Sequence, residues 1–422
     1  MTESLYEKDP ALLKGQYGGL IDRYSRKVIA HFASFIREGR IRLCENGVLL
    51  QEAGDPGPDN LEATIDVRHP GFYRRLFIGG DIGVAEAYME GWWTCDNLYA
   101  LMRIIFRNKE MLRSTSGRGW IEAAIRMLFR LLHINTPGGS RKNIASHYDL
   151  GNDFFALFLD ETMTYSCGFF EQEASSMREA SEAKLDRLCR KLALRPGEHI
   201  IEIGTGWGSF ALHAARHYSC RVTTTTISKE QHALARERVA AAGLDDKIDV
   251  LNRDYRDLEG SYDKLVSIEM IEAVGHQFFK TFFRKCADLL KPDGAMALQA
   301  ITISDQQFEQ SKDDLDFIKR YIFPGGCLPS VTAICESITR FTDLRLCHLE
   351  DISEHYVTTL HHWQERFLEN IDRIRALGYP EPFLRMWEYY LMTCAGGFAE
   401  RHVGDVQMLL GKPRYFPGRP IA

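Results

Sequence analysis

Short apolar runs in the middle of the chain alternate with stretches in which apolar residues recur at helical spacing. The first run, residues 200–203, contains one carboxylate, Glu202, and the helical spacing that follows it begins at Phe210. Four further strands are predicted at 220–227, 248–254, 262–268 and 295–301, and helices at 229–242 and 278–290. This alternation predicts βαβ units, and hence an α/β domain whose parallel sheet is covered by helices on both faces.

The N-terminal part has a different pattern. Short strands are predicted at 40–43, 47–50 and 64–68, a loop rich in glycine and proline at 54–59, and a helix from residue 71 onward. We therefore expect a small α+β accessory domain over residues 1–110 and the α/β domain over residues 141–422.

The segment between them, residues 111–140, combines arginines such as Arg126 and Arg130 with apolar residues at helical spacing. A basic amphipathic helix of this kind can lie on an anionic membrane surface. It can equally be a linker whose apolar side packs on a neighbouring domain while its arginines are solvated.

Length, charge and cysteine usage narrow the possible functions. A chain of 422 residues exceeds one ordinary domain, and its net charge of −6 argues against general nucleic-acid binding, which favours an excess of lysine and arginine. The cysteines are scattered without the spacing of a zinc site or a disulfide framework, so no metal is expected. No apolar run approaches the length of a membrane span, so we expect a cytoplasmic protein with at most peripheral membrane contact.

A glycine turn follows the first predicted strand of the α/β domain. Gly204, Gly206 and Gly208 alternate with other residues directly after Glu202. Glycines are needed where the backbone turns sharply and passes close to a ligand. The pattern is not the Gly-x-Gly-x-x-Gly of dinucleotide-binding proteins, and no phosphate-binding lysine follows it. It suits a nucleoside with a cationic amino-acid tail, for which S-adenosylmethionine (SAM) is the obvious candidate.

Polar residues at the ends of the next strands extend this candidate site. Strand 220–227 ends in threonines, including Thr226, where a ribose-binding carboxylate would be usual, so Gln231 is the nearest group able to hold ribose hydroxyls. Asp254, followed by Tyr255, is placed to accept a hydrogen bond from the adenine amine. Each acid alone could be a helix cap or a surface charge. Together they favour SAM.

Several further motifs keep a fixed order and cover nearly everything from residue 142 to the C-terminus; they include His147-Tyr148-Asp149, Tyr165-Ser166-Cys167, Glu269-Met270-x-Glu272 and Phe323-Pro324-Gly325-Gly326. Taken together, these motifs resemble the cyclopropane-fatty-acyl-phospholipid synthase family of SAM-dependent methyltransferases. Residues 83–93 also resemble the accessory domain of this family. The resemblance implies a Rossmann-like class I methyltransferase domain with a helical lipid-binding insertion at about 304–345.

The resemblance also implies a reaction, the transfer of a methylene from SAM to the cis double bond of an unsaturated phospholipid acyl chain. The alkene attacks the SAM methyl, a carbocation forms, and a base removes a proton so that a cyclopropane ring closes. The family's base is a bound bicarbonate, held by a carboxylate, a tyrosine, a histidine and main-chain groups. On this sequence these positions are Glu272, Tyr356, Gln299 and the main chain of Cys167 and Ile301.

Gln299 therefore stands where the family has histidine. Its amide can donate a hydrogen bond to an anion but cannot carry a charge. It either preserves the bicarbonate site or changes the fate of the carbocation, toward a methyl-branched, methylene or hydroxylated product. Glu269 lies three residues before Glu272 and would face the same way on a helical turn. One of the two is then a candidate structural cap, and the family position favours Glu272 as the functional residue.

An aromatic lining would stabilise the carbocation and exclude water. The candidates for it are Tyr165, which with Ser166 also belongs to the expected cofactor site, and Phe169, Phe170, Tyr321, Phe323 and Tyr356. The resemblance further implies a homodimer associated peripherally with the inner membrane. Two alternatives stay open: a SAM methyltransferase of a soluble small molecule on the same fold, and a lipid-binding protein with a degenerate SAM site.

Overall fold

The computed structural model describes residues 20–109 and 150–416, which form two compact units. The first unit contains residues 20–109 and Gly378–Gly396, and the second contains residues 150–377 and 397–416. The expected linker at 111–140 and the residues His147-Tyr148-Asp149 lie outside the described residues. Within the described part of the chain, no helix combines the length and the apolar character that a membrane crossing requires.

The first unit is a small α+β domain, as the sequence predicts. Before residue 110 it contains helices α1 (Leu20–Ala33), α2 (Gly71–Met89) and α3 (Leu98–Arg107) and strands β1 (Gly39–Glu45), β2 (Val48–Asp55), β3 (Glu62–Val67) and β4 (Trp93–Cys95). The strands form one sheet in the order β2–β1–β3–β4. Glu45 is buried in this unit, and its carboxylate is satisfied by Arg26 and by the hydroxyl of Tyr73, each at 2.6 Å.

The second unit is built around a seven-stranded sheet. Its strands are β5 (His199–Ile203), β6 (Arg221–Thr226), β7 (Ile248–Asn252), β8 (Tyr262–Ile268), β9 (Leu290–Ile303), β10 (Arg345–Asp351) and β11 (Val403–Gly411). The helices, in chain order, are α4 (Asn152–Phe158), α5 (Met177–Lys191), α6 (Ser209–His217), α7 (Lys229–Ala241), α8 (Phe279–Leu289), α9 (Asp305–Ser311), α10 (Val331–Phe341), α11 (Ser353–Glu369) and α12 (Ile371–Ala376). Helix α13 (Glu381–Ala399) follows, with its residues up to Gly396 in the first unit.

The sheet order is β10–β11–β9–β8–β5–β6–β7, and the strands from β9 to β7 run parallel. The five strands that the sequence predicts for this domain are confirmed. Ile200, Ile201 and Ile203 of β5 are almost fully buried, because helices cover both faces of a parallel sheet and its strands then have no solvent-facing side. The carboxyl ends of the parallel strands meet at one edge, where the polar residues predicted for the site lie.

The sheet is not entirely parallel, and here the sequence-based expectation was incomplete. Strands β11 and β10 add to the edge of β9, each antiparallel to its neighbour. The pattern of apolar positions missed β11 because this strand carries Asp405 and Gln407, both fully buried. Buried polar residues of this kind are rare in strands and require specific partners.

The expected helical insertion contains α9, a π-helical turn (Ile318–Ile322) and α10. Ile334 and Ile338 of α10 belong to the main hydrophobic core, so part of this segment serves ordinary packing. The N–H of Cys327 donates to the carbonyl oxygen of Glu272 at 2.7 Å, and the N–H of Ile303 donates to that of Pro329 at 2.9 Å. These two bonds hold the insertion against the carboxyl ends of the strands.

Candidate active site

The glycine turn directly follows β5 and leads into α6. Gly204, Gly206 and Gly208 have φ angles of +103°, +52° and +88°, which residues with a Cβ rarely adopt. The N–H groups of Gly204 and Thr205 both donate to the carbonyl oxygen of Thr225 on β6, at 3.1 and 3.0 Å. A Cβ on Gly206 would meet no atom within 4 Å. The turn is therefore fixed to β6 and has open space at Gly206, which suits the close approach of a ligand.

Glu202 lies on β5 just before this turn and is almost fully buried. Its carboxyl accepts a hydrogen bond from the hydroxyl of Thr224 at 2.5 Å, and the hydroxyls of Thr224 and Thr205 lie 2.7 Å apart. Burial raises the pKa of Glu202 to about 8, because a low-dielectric site disfavours the charged form. A cationic amino group nearby would favour ionisation of this carboxyl.

Thr226 and Gln231 are brought together at the end of β6. The Thr226 hydroxyl donates to the side-chain oxygen of Gln231 at 2.8 Å. Ser228 caps α7 by accepting a hydrogen bond from the N–H of Gln231 at 3.2 Å, which places Gln231 in the first turn of that helix. The two residues predicted to bind the ribose thus lie side by side and are joined by a hydrogen bond.

Asp254 and Tyr255 follow β7, where the carboxylate of Asp254 is paired with Arg256 and the ring of Tyr255 is packed against a neighbour. Arg256 approaches both carboxylate oxygens of Asp254, with Nε 2.8 Å from Oδ1 and Nη2 2.7 Å from Oδ2. The ring of Tyr255 packs edge-on against Phe282 at 5.5 Å, and its hydroxyl has no hydrogen-bond partner among the described residues. A contact between Asp254 and adenine would have to share the carboxylate with Arg256, and this role stays a prediction.

Tyr165 and Ser166 precede Cys167 in a stretch without regular structure. The Tyr165 ring lies 5.3 Å from that of Phe155 and 5.2 Å from that of Trp363. The Ser166 hydroxyl accepts a hydrogen bond from Nζ of Lys184 at 2.6 Å. Lys184, on α5, is fully buried, and burial lowers the pKa of its ammonium group. The sequence did not predict this buried cation.

Glu269 is the centre of the site, although the sequence left it as a candidate cap. The N–H of Cys167 and the Nε2 of Gln299 each donate to its Oε1 at 2.8 Å, and the Tyr356 hydroxyl donates to its Oε2 at 2.6 Å. Glu269 follows β8 with a φ of +45°, an uncommon backbone conformation for a residue with a Cβ. The structure therefore joins three of the predicted catalytic residues around a carboxylate that was not among them.

Gln299 is held in one orientation by a chain of polar contacts. Besides Glu269, its Nε2 donates to Oδ2 of Asp405 at 2.9 Å, and its Oε1 accepts from Nε2 of Gln407 at 3.0 Å. Gln407 lies directly opposite Gln299 in the β9–β11 ladder and accepts in turn from Nζ of Lys191 at 2.7 Å. Both donor positions and the acceptor of the amide are used, as a buried amide requires.

Glu272 lies in a short 3₁₀ turn (Ile271–Ala273), where it is separated from the donors of Glu269. Its Oε1 accepts a hydrogen bond from the N–H of Ile301, and its buried Oε2 has no hydrogen-bond partner among the described residues. Burial, and after it the negative charge of Glu269, raise the pKa of Glu272 to about 8. Glu272 therefore carries a proton at neutral pH.

The electrostatics around Glu269 follow from three carboxyls, those of the fully buried Asp405 and the half-buried Glu269 and Glu272, and from the buried ammonium group of Lys184. Burial is the main cause that raises the pKa of Glu269, Glu272 and Asp405, and the positive charge of Lys184 opposes it for Glu269 and Asp405. One ammonium group cannot compensate three carboxylates that are largely removed from bulk solvent. Glu269 receives the most hydrogen bonds, so we assign the negative charge to it and protons to Glu272 and Asp405.

The aromatic residues predicted to line a cation pocket lie in several places. The Phe169 ring packs at 4.3 Å from His355 and 4.4 Å from the guanidinium carbon of Arg187, and the N–H of Phe170 donates to Nδ1 of His355 at 3.2 Å. Tyr321 and Phe323 lie in the insertion, where the Tyr321 ring packs 5.8 Å from that of Phe317. Tyr356, which donates to Glu269, stacks on Phe398 at 4.3 Å. That Phe169, Phe170, Tyr321 and Phe323 line one shared pocket stays a prediction.

The glycine turn and the Glu269 cluster lie at the same edge of the sheet. A Cβ built on Gly204 would lie 3.1 Å from Cγ of Met270, the residue after Glu269. Strands β5 and β8 are parallel neighbours, so the segments that follow them meet. A nucleoside ligand fits the turn, which combines open space at Gly206 with the buried carboxyl of Glu202.

Three members of the cluster were missed from the sequence. Lys184 lies in a capped helix among charged residues, where a lysine is normally solvent-exposed. Asp405 and Gln407 are polar residues next to Val406 and Met408, and polar residues at alternate positions of a strand are expected to face solvent. Their burial depends on the pairing of β11 with β9, which no local pattern encodes.

Comparisons with known proteins identify relatives of this chain. A family model described as "Mycolic acid cyclopropane synthetase" matches residues 137–408. The cyclopropane-fatty-acyl-phospholipid synthase of Escherichia coli is 38% identical over 370 residues, which cover 85% of this chain and 90% of that protein. The tuberculostearic acid methyltransferase UfaA1 of Mycobacterium tuberculosis is 38% identical over 344 residues, 80% of each chain.

Solved structures show the same likeness. The cyclopropane synthase MmaA2 from Mycobacterium tuberculosis superposes with a TM-score of 0.61 at 32% identity, over 64% of this chain and 98% of that one. The mycolic acid cyclopropane synthase CmaA1, complexed with SAH and CTAB, gives a TM-score of 0.61 at 31% identity with the same coverage.

Proposed function

Because the chain belongs to the mycolic acid cyclopropane synthetase family, we propose that this SAM-dependent methyltransferase transfers a methylene group to the cis double bond of an unsaturated phospholipid acyl chain. The observation that carries the proposal is that the glycine turn and Glu269 follow neighbouring parallel strands, with Gly204 next to Met270, the residue after Glu269. An alkene carbocation has to lose a proton before water reaches it. The carboxylate of Glu269, shielded from bulk solvent beside the methyl-donor site, can accept this proton.

The residues around the glycine turn would hold SAM, which when bound supplies an electrophilic methyl group on a sulfonium. The positive φ angles of Gly204, Gly206 and Gly208 let a ligand approach the backbone closely. Thr226 and Gln231 offer a hydroxyl and an amide to the ribose. Holding the two reactants in position matters most here, because an alkene is a weak nucleophile and gains most from a fixed geometry.

The residues that donate hydrogen bonds to Glu269 shield its carboxylate from water and keep it ready to accept a proton. Tyr356 and Gln299 are almost fully buried, as is Cys167, whose N–H is the third donor to Glu269. These three donors fix the plane of the carboxylate and lower its tendency to take a proton from elsewhere. Glu272 stays neutral and adds no second negative charge.

A methyl-branched acyl product is the second candidate, and Gln299 is the observation that favours it. Gln299 replaces the histidine that the resemblance leads one to expect, and the relative named tuberculostearic acid methyltransferase is as similar in sequence as the cyclopropane synthase. Loss of a proton from the acyl chain, instead of from the added methyl, would leave a branched unsaturated chain.

Mass spectrometry of phospholipids from cells that express the protein tests the proposal. A gain of about 14 Da in an acyl chain that resists hydrogenation supports the ring, since proton loss from the added methyl leaves a methylene bridge. A product that takes up hydrogen supports the branched alternative. Unchanged lipids, or methylation of soluble compounds alone, would refute both. Gly204→Val, which blocks the turn, serves as the inactive control.

The proposed substrate lies in a membrane, so we also propose that the protein acts at the membrane surface and as a homodimer. Both statements rest on the family resemblance. Co-sedimentation with anionic phospholipid vesicles tests the first, and the molar mass from light scattering tests the second.

A further inference from the structure

We propose that the side chain of Glu269 is itself the proton acceptor of the reaction, in the position where the family resemblance leads one to expect a bound bicarbonate. This inference rests on the proposed function and specifies the base that the reaction uses. It assigns a catalytic role to Glu269, which the sequence pattern alone left as a candidate structural cap.

The first argument is the identity of the donors. The resemblance assigns the main chain of Cys167, the side chain at position 299 and Tyr356 to the bicarbonate site, and all three donate to Glu269 at 2.6–2.8 Å. A carboxylate and a bicarbonate both present a planar pair of oxygens to such donors. A free bicarbonate would have to displace an acceptor that is covalently attached to the same site. The residues present therefore do not fit a resident bicarbonate.

The second argument is that Glu269 retains room for a proton. A carboxylate offers about four lone-pair sites on its two oxygens. The N–H of Cys167 and the amide of Gln299 use both sites on Oε1, while Tyr356 uses one on Oε2. The remaining site on Oε2 can accept a proton without breaking any of these bonds.

The third argument distinguishes Glu269 from its two neighbours. A base has to be ionised before the reaction, and burial raises the pKa of all three carboxyls. Glu269 is the one that accepts three hydrogen bonds from Cys167, Gln299 and Tyr356, which favour its charged form. The buried ammonium of Lys184 favours ionisation of both Glu269 and Asp405, so the donors decide between these two. Glu269 alone combines the charge with the three donors.

The step balances as follows. In the intermediate, one former alkene carbon of the acyl chain is cationic and its neighbour carries the transferred methyl group. One C–H bond of that methyl group breaks. Its electron pair forms the third carbon–carbon bond of the ring, and the proton forms an O–H bond with Oε2 of Glu269. Glu269 returns the proton to water after the product leaves.

The backbone at Glu269 supplies a specific test. Its φ of +45° is a conformation that glycine adopts without strain, so Glu269→Gly removes the carboxylate and keeps the fold. The variant also opens a space in front of the three donors, which a small planar anion can fill. Glu269→Gln nearly preserves the volume of the side chain but can neither ionise nor leave such a space.

The experiment measures SAM-dependent modification of vesicles of unsaturated phospholipid in CO₂-depleted buffer, with and without added bicarbonate or formate. We expect the wild-type rate to be independent of both anions, and Glu269→Gly to lose a factor of about 10²–10⁴, typical of a missing general base, and to regain activity with either anion. Glu269→Gln should be as inactive and gain nothing, and Glu272→Gln should lose less, because Glu272 already holds a proton. Calorimetric SAH binding by each variant shows that it is folded.

Two results would overturn the inference. One is a wild-type rate that falls in CO₂-depleted buffer and returns with bicarbonate. The other is a Glu269→Gln variant that keeps the wild-type rate. The absence of any modified lipid with the wild-type protein would instead refute the proposed function, and this inference with it.

Discussion

Removal of the Tyr356 hydroxyl is the most informative single change at the site. Tyr356→Phe deletes the 2.6 Å hydrogen bond to Oε2 of Glu269. The ring stacks on Phe398 at 4.3 Å and lies edge-on to Trp363 at 6.1 Å. A phenylalanine preserves both contacts, so the perturbation is confined to one bond.

The size of the effect follows from the type of bond. A hydrogen bond to a charged group contributes about 1.5–3 kcal/mol, so loss of this bond disfavours the carboxylate and raises the pKa of Glu269. The Tyr356 bond lowers that pKa in the folded protein. The variant should therefore lose activity at low pH, where Glu269 becomes protonated, and recover it at higher pH, where the carboxylate forms again.

The assay is a pH–rate profile for SAM-dependent modification of phospholipid vesicles. Tyr218→Phe is a matched control, because the Tyr218 hydroxyl also donates to a carboxylate, that of Asp186, at 2.6 Å but outside the cluster. We expect the acidic limb of the profile to move to higher pH for Tyr356→Phe and to stay in place for Tyr218→Phe. A uniform loss at all pH values, or no change, would refute a role for Tyr356 in setting the ionisation of Glu269.

Two further predictions concern the glycine turn and its carboxylate. The pKa of Glu202 is 4.5 when unperturbed and about 8 in the fold, so the folded protein binds this proton more tightly than the unfolded chain does. Its contribution to the free energy of unfolding is complete below pH 4.5 and is lost as the pH rises through 8, on the order of 5 kcal/mol in all; Glu202→Gln should flatten this dependence in urea titrations, and an unchanged slope would contradict it. Gly204→Ala, with its Cβ 3.1 Å from Met270 and a φ of +103°, should weaken SAH binding about tenfold in calorimetry. Gly243→Ala, also at positive φ but with no atom within 4 Å, should bind SAH normally, and equal affinities for the two variants would contradict the reasoning.

The parts of the fold that the sequence predicted are those encoded by local patterns. Four of the five parallel strands contain several apolar residues and β6 is rich in β-branched threonines, and the glycine turn follows the first strand without interruption. Strand β11 was not predicted from the sequence, because Asp405 and Gln407 interrupt its apolar pattern. Lys184 escaped because a lysine in a charged helix is normally exposed. In each case the burial is produced by pairing or packing between segments that are far apart in the sequence.

The roles of Glu269 and Glu272 show the same limit more sharply. Spacing by three residues would place both carboxyls on one face of a helix. The backbone is not helical there, since Glu269 has a φ of +45°, and the two side chains diverge. Glu269 reaches Cys167, Gln299 and Tyr356, while Glu272 reaches the main chain of Ile301. A single backbone angle thus decides which of the two acids is placed to act as the base.

The most direct test of the central claim uses SAM that carries a trideuterated methyl group, with mass spectrometry of the modified acyl chain. Proton acceptance from the transferred methyl predicts a gain of about 16 Da in a lipid that resists hydrogenation, because one of the three deuterons is removed. A gain of about 17 Da would mean that the proton came from the acyl chain and that all three deuterons stayed. That result, or the absence of label in the phospholipids, would contradict the account.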